Sequence, residues 1–282
     1  MRMLRSTTVA LVLATATVAG AGASASAPRW APAGSAAIHP GVQMYTDGAQ
    51  CTSHFVFTDR RSRVYVGYAA HCAGTGEATD TDGCQAGSLP LGTRVTFAEG
   101  GNPATDGTTL GHGRLAYSSW LTMQSRGTRS ADRCAYNDLA LVRVGRAWVD
   151  DVNPSVPFWG GPTSLAADPP ADGAPAYSFG ASSLRGGAAP LGPKRGVVLG
   201  STGHGWSHDV VTVTPGVPGD SGSGFLDDHG RAFGTLSTLA LAPVPASNGV
   251  GDLRHELAFA RKHSGIPGLR LVPGTEPFDP AL

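Results

Sequence analysis

Lysine is nearly absent from this chain: Lys194 and Lys262 are the only two in 282 residues, although arginine is common. Net charge is missing too, because 21 basic residues balance 21 acidic ones, and only 15% of residues are charged. Such a balance argues against nucleic acid or an anionic membrane as the main partner. No apolar run is long enough for a membrane span: the longest, Val9 to Val18, is too short to cross a bilayer. No CxxC spacing occurs, so no metal site is expected. The 40 glycines and 21 prolines come without a short repeat, which fits many turns joining short strands and favours an all-β fold. At this length a sizeable core can be buried.

What is present begins with a targeting pattern. Arg2 and Arg5 precede the short apolar run, and the small residues "AGASASA" follow, which reads as a signal peptide over residues 1–25, cut after Ala25 or Ala27. A secreted, extracellular protein is therefore expected, with no membrane association after cleavage. In that setting Cys51, Cys72, Cys84 and Cys134 read as two disulfides rather than a metal site. Four cysteines allow three pairings. Cys51–Cys72 with Cys84–Cys134 is the expected one, because the first bridge would fasten the loop of His71 to the preceding strand.

Residues 26–40 read as a leader or linker, 41–150 as a first β-rich half and 151–265 as a second, with 266–282 as a C-terminal coil. The Pro- and Gly-rich "DDVNPSVPFWGGP" suits the boundary. Strands are expected at "FVF", "VYVGY", "GTRVTFA", "GRLAYSSW" and "DLALVRV", then at "GAPAYSFG", "KRGVVLGS", "HDVVTVTP" and "GRAFGTLSTLAL". One helix is expected, with Asp252 as N-cap, an apolar line at Leu253, Leu257 and Ala260, and Gly265 beyond its end. His54, His112, His229 and His263 show no partner pattern and read as surface residues. His204 and His208 sit in a loop-like "HGWSH" and are not expected to bind metal.

Three segments carry chemistry. In "VPGDSGSG" Ser221 sits between glycines, but a serine hydroxyl needs a base and an oxyanion acceptor to act as a nucleophile. "YAAHC" offers His71 at a strand end, and "YNDLALVRV" offers Asp138 at the mouth of an apolar strand, where a lone carboxylate is costly without a partner.

"AAHC", "NDLALVRV" and "PGDSGSG", in this order, resemble the signature segments of the chymotrypsin-like (trypsin-like) serine proteases, closest in style to secreted bacterial members. The resemblance spans roughly residues 41–262. It implies two antiparallel six-stranded β-barrels with the active site in the cleft between them. Ser221 would be the nucleophile, His71 the general base and Asp138 its orienting carboxylate, with the N–H groups of Gly219 and Ser221 as the oxyanion hole. Ser237 resembles the serine that the family places beside the catalytic Asp, and Thr238 and Leu239 would line the substrate pocket together with Pro215. A cofactor-free endopeptidase acting on polypeptides as a monomer is expected.

The departures from the family are informative. "AIHPGV" stands where animal members carry the freed N-terminus that pairs with the Asp before the serine, so Asp220 must find an internal partner. Pro215 stands where trypsins carry an Asp, which argues against preference for Arg or Lys. Leu239 stands where many relatives have glycine and suggests a narrowed or closed apolar pocket. Two rivals are weaker: a trypsin-fold binding protein without catalysis, and a GDSL-type esterase using Asp252 and His255, which lie too close to Ser221 in sequence.

Overall fold

Short apolar runs divided by Gly, Pro and Asp turns can bury themselves only by pairing edge to edge, and this chain does so twice. The computed structural model describes residues 27–77, 80–186, 189–240 and 247–281; the expected signal peptide lies outside them. The first half contributes β1 (Gln43–Thr46), β2 (Ala49–Thr52), β3 (Val56–Thr58), β4 (Val64–Ala69), β5 (Arg94–Glu99), β6 (Thr108–Ser118) and β7 (Leu139–Val144). The second contributes β8 (Pro175–Phe179), β9 (Pro193–Thr202), β10 (Ser207–Thr212), β11 (Gly224–Leu226), β12 (Ala232–Ala240) and β13 (Ser247–Asp252). These six close into an antiparallel barrel in the order β8-β9-β10-β13-β12-β11.

The first sheet closes by a bend instead of an extra strand. β2 pairs with β1, and Ser53 continues that ladder by donating to Val42 O at 2.9 Å. One residue later His54 donates to Gly67 O at 2.8 Å, and β3 continues along β4. Residues 49–58 are thus one bent strand that pairs with β1 through its first part and with β4 through its second. Counted so, the first half also has six strands, in the order β1-β2/β3-β4-β7-β6-β5. The two barrels have the same strand order, although no sequence repeat relates them.

Both disulfides form as expected, Cys51–Cys72 and Cys84–Cys134. Among the described residues three α-helices appear where one was expected. α1 (Ser119–Ser125) and α2 (Ala131–Tyr136) are too short to be stable alone. α1 is started by Ser118, whose Oγ accepts from Leu121 N, and it buries Trp120 and Met123. The second disulfide holds α2 through Cys134. α3 (Leu253–His263) matches its expected pattern: Asp252 Oδ1 accepts from His255 N at 2.8 Å, and Leu253, Leu257 and Ala260 are fully buried.

Although α3 follows the second barrel in sequence, its apolar line joins the core of the first, together with Phe55, Tyr68 and Leu139. The chain then adds β14 (Arg270–Leu271) to β3. The residues before the first barrel are docked as well: Ile38 is fully buried and its N–H donates to Asp151 O.

His54 corrects the surface reading, because it is fully buried at the bend between β2 and β3. Its ring lies edge-on to Phe55 and Phe57 and covers Gly67, where any Cβ would strike it. Neither ring nitrogen has a hydrogen-bond partner among the described residues. Burial alone pushes its pKa down to about 3, so the folded protein holds a neutral imidazole. The unfolded chain takes up this proton near pH 6.5 and the folded chain does not. Stability contributed by neutral His54 is therefore lost as pH falls from 6.5 towards 3, at about 1.4 kcal/mol per pH unit. Denaturant titrations between pH 7 and 4 should show a shallower acid decline for His54→Leu than for the wild type.

Candidate active site

Strand register brings His71 and Asp138 together. β4 and β7 end their ladder with Ala69 opposite Leu139, so the residues just outside that pair must meet. Beyond Ala69 the chain makes a single helical turn, Ala70–Ala73, and Ala70 N donates to Asp138 O at 2.6 Å. Asp138 Oδ1 accepts the His71 backbone N–H at 2.8 Å, and Oδ2 accepts from His71 Nδ1 at 2.6 Å. The Asp138 side chain is only 5% exposed, while the His71 side chain keeps 26% of its surface open. With Nδ1 engaged, Nε2 is the nitrogen left to take a proton. Burial by itself would lower the His71 pKa, but the charge and hydrogen bond of Asp138 more than offset this and leave it raised.

Two further groups position Asp138. Along β12, Leu236 pairs with Val250 and Thr238 with Gly249, so Ser237 is an extra residue in the ladder. This bulge turns Ser237 out of register, and its Oγ donates to Asp138 Oδ2 at 2.6 Å. The expected neighbour of Asp138 is therefore in place. From α3, Glu256 Oε1 accepts the Asp138 backbone N–H at 2.9 Å. Glu256 is fully buried, and that burial holds its carboxyl well above the ordinary range. Nothing in the helix pattern pointed to Glu256, since the partner lies 118 residues away.

The Ser221 loop is fastened to the first barrel through β2. Thr52 N donates to Ser221 O at 2.8 Å, Thr52 Oγ1 donates to Gly219 O at 2.8 Å, and Gln50 Nε2 reaches the same oxygen at 3.1 Å. Cys51, between them, is bridged to Cys72 beside His71. One segment thus holds both the Ser221 loop and the His71 turn. Gly219 and Gly222 have φ of 95° and 90°, and a Cβ on Gly222 would strike the Thr52 carbonyl. The N–H groups of Gly219 and Ser221 have no partner among the described residues, nor has the Ser221 hydroxyl.

Asp220 is fully buried and has the internal partners its sequence context demanded. Oδ2 accepts from Lys194 Nζ at 2.9 Å, Arg185 Nη2 at 2.7 Å and Val217 N at 3.1 Å. Oδ1 accepts from Ser182 N at 3.1 Å. Lys194 is itself fully buried, and that burial lowers its pKa despite the opposing Asp220 charge. Arg185 Nη2 also donates to Pro215 O at 2.7 Å, which ties the segment before the serine to the same charge cluster. The sequence left this partner open; the lysine was the missed signal, one of only two in the chain and set in a strand.

Of the expected pocket residues, Leu239 is 40% exposed and approaches Gly216: a Cβ on Gly216 would lie 2.9 Å from Leu239 Cδ2. Gly216 N is held by Asn248 Oδ1 at 3.1 Å. His208 is buried between Ser201 Oγ and Asp252 Oδ2, while His204 lies on the surface against Asp132, so the two do not converge. His255 stacks on Trp206 and is no part of the Ser221 cleft.

No protein-family model matches this chain, and no curated protein sequence does either. Among solved structures, protease A of Thermobifida fusca is 18% identical over 84% of this chain and 99% of its own, with a TM-score of 0.50. A Nocardiopsis protease is 18% identical over 83% and 98%, with a TM-score of 0.47. A Cellulomonas bogoriensis chymotrypsin shows 18% over 83% and 98%, with a TM-score of 0.45. The two-barrel fold is that of the chymotrypsin-like bacterial serine proteases.

Lys194→Met removes one cation from a buried carboxylate and should cost about 3 kcal/mol. Arg185→Gln, at a side chain 12% exposed, should cost less. Chemical denaturation of the two variants checks this order, and the reverse order would show that Arg185 is the main partner.

Proposed function

We propose that this protein is a secreted serine endopeptidase that hydrolyses peptide bonds through an acyl-enzyme intermediate. The observation that carries this reading is the Asp138 carboxylate, which grips His71 by backbone and ring together while Ser237 occupies its remaining edge. That arrangement fixes a tautomer with a basic Nε2 facing away from Asp138. It has no evident use in a protein that only needs a stable barrel.

In this reading Ser221 Oγ attacks the substrate carbonyl carbon and His71 Nε2 takes its proton. The imidazolium so formed is stabilised by Asp138. The free N–H groups of Gly219 and Ser221 receive the developing oxyanion. His71 then gives the proton to the leaving amine, and a water molecule repeats the sequence on the acyl-enzyme. The Asp220 cluster keeps the Gly219–Ser221 turn in shape without a freed N-terminus, so no cleavage at "AIHPGV" is needed for activity. Leu239 over Gly216 supports a preference for small or aliphatic side chains before the cleaved bond, and Pro215 argues against Arg and Lys. The substrate is a polypeptide and no cofactor takes part. The two disulfides and the N-terminal signal-like sequence support an extracellular setting. Among the described residues no helix is long and apolar enough to cross a membrane.

A fluorophosphonate probe should label the wild type, and Ser221→Ala should abolish the labelling. Unlabelled, correctly folded wild type would favour a binding protein that keeps the fold without catalysis. Asp138→Asn should lower kcat by about 10⁴ while leaving the fold intact. Because Asp138 raises the His71 pKa, kcat/KM should climb with pH through a midpoint above the ordinary histidine value of 6.5. A rate flat from pH 5 to 8 contradicts His71 as the base.

A further inference from the structure

At the end of the first barrel away from His71 lies a groove of about 810 Å³ whose lining includes six arginines: Arg61, Arg63, Arg94, Arg114, Arg143 and Arg146. In a chain of zero net charge this is a strong local excess. β4 runs from Val64 beside the groove to Ala69 beside His71, which puts the groove roughly 20 Å from that imidazole. It is therefore separate from the catalytic cleft.

Register makes the excess sharper. Arg94 of β5 pairs directly with Arg114 of β6, and Arg114 pairs with Arg143 of β7. Directly paired residues project from the same face, so three guanidinium side chains stand in a row on adjacent strands, about 4.8 Å apart at their bases. Like charges directly opposite one another destabilise a sheet. The nearby carboxylates do little to offset them. Asp59 is held by Arg63 at 2.6 Å, and Asp150 is the one acidic residue in the lining. The guanidinium groups of Arg61, Arg94, Arg143 and Arg146 have no ion-pair or hydrogen-bond partner among the described residues, and Arg114 reaches only the Gly92 carbonyl, at 2.8 Å. The charges of the groove are thus left for a ligand.

The wall is built rather than accidental. Trp148 stands edge-on to His112 at 5.2 Å and lies over Gly111 and Gly145, where a Cβ would strike its ring. We propose that this groove binds a linear polyanion bearing tetrahedral phosphate or sulfate groups, which bridge the Arg94–Arg114–Arg143 row. A tetrahedral oxyanion offers oxygens in several directions and can accept from two neighbouring guanidinium forks at once. A planar carboxylate has one oxygen fewer and keeps both in one plane, so it bridges adjacent forks less completely. The site would hold the protein on a polyanionic surface with the distant cleft free, whatever that cleft does.

The test uses the mature full-length chain, with inorganic polyphosphate and a heparin fragment as separate probes and polyglutamate of equal charge as the comparison. Polyphosphate or the heparin fragment should bind and raise the melting temperature, and which of the two does so identifies the source of the oxyanion. Affinity should fall steeply as salt rises from about 0.05 to 0.5 M. The triple variant R94Q/R114Q/R143Q should bind on the order of tenfold more weakly, or worse. Without ligand it should melt no lower than the wild type, because the repulsion has been removed. Should it fail to fold, Arg94→Gln and Arg114→Gln alone should each weaken binding. The proposal is overturned if neither probe binds at low salt, if the variants bind as tightly as the wild type, or if polyglutamate binds as tightly as the better probe.

Discussion

A carboxylate with no exposed surface must be neutralised from within, and the burial of Asp220 shapes much of the cleft around Ser221. Two cations and two backbone N–H groups converge on it, from Arg185, Lys194, Ser182 and Val217. The donors belong to three pieces of the second barrel, the Ser182–Arg185 turn, β9 with Lys194 and the segment at Val217, so satisfying one charge fixes their relative positions. The turn that carries Gly219 and Ser221 is drawn tight as a consequence, with Asp220 N donating to Val217 O at 2.9 Å. Taking one cation away would leave a buried charge only partly matched, which is far costlier than losing a surface ion pair. The same cluster holds the Pro215 carbonyl, so the Pro215 segment and the Gly219–Ser221 turn respond to one electrostatic constraint.

The second constraint is the seam made by residues 50–54. These few positions close the first barrel, grip the Ser221 loop and carry the disulfide that reaches His71's neighbour. His54 completes the seam with an apolar role for a polar ring, filling the space that Gly67 leaves open. An inter-barrel cleft needs such a joint, because the hydrophobic effect alone is non-directional and would not set the relative placement of two groups to within a hydrogen bond. α3 and β14 add to it by returning the chain from the second barrel to the core of the first.

Particular residues show how far the sequence could be read. His71, Asp138 and Ser221 stood out as candidates because each sits in a short block whose neighbours are constrained by backbone geometry: small residues before the histidine, an apolar strand after the aspartate, glycines around the serine. Ser237 was legible by resemblance, but its approach to Asp138 depends on a bulge that the pattern "GTLSTLAL" does not reveal. Glu256 looked like an ordinary helix residue, and Lys194 like a compositional oddity. Both gain their meaning from partners far away in the chain. His54 was misread for a related reason, since a polar residue next to two aromatics gives no sign of which way the strand will bend. The arginines of the groove are scattered between positions 61 and 146, and only strand pairing lines them up.

By itself the sequence determined the all-β character, the division into two halves and the helix capped by Asp252, and it singled out His71, Asp138 and Ser221 as candidates. These follow from local rules: periodic burial, turn chemistry, capping, and short blocks in which spacing along the chain matters. Tertiary structure alone decided which cations neutralise Asp220, which carboxyl supports Asp138, where α3 docks and how Arg94, Arg114 and Arg143 face one another. Those outcomes depend on long-range register and on the high cost of leaving a charge or a polar group unmatched in a dry interior. Neither can be seen from a residue's neighbours in the chain.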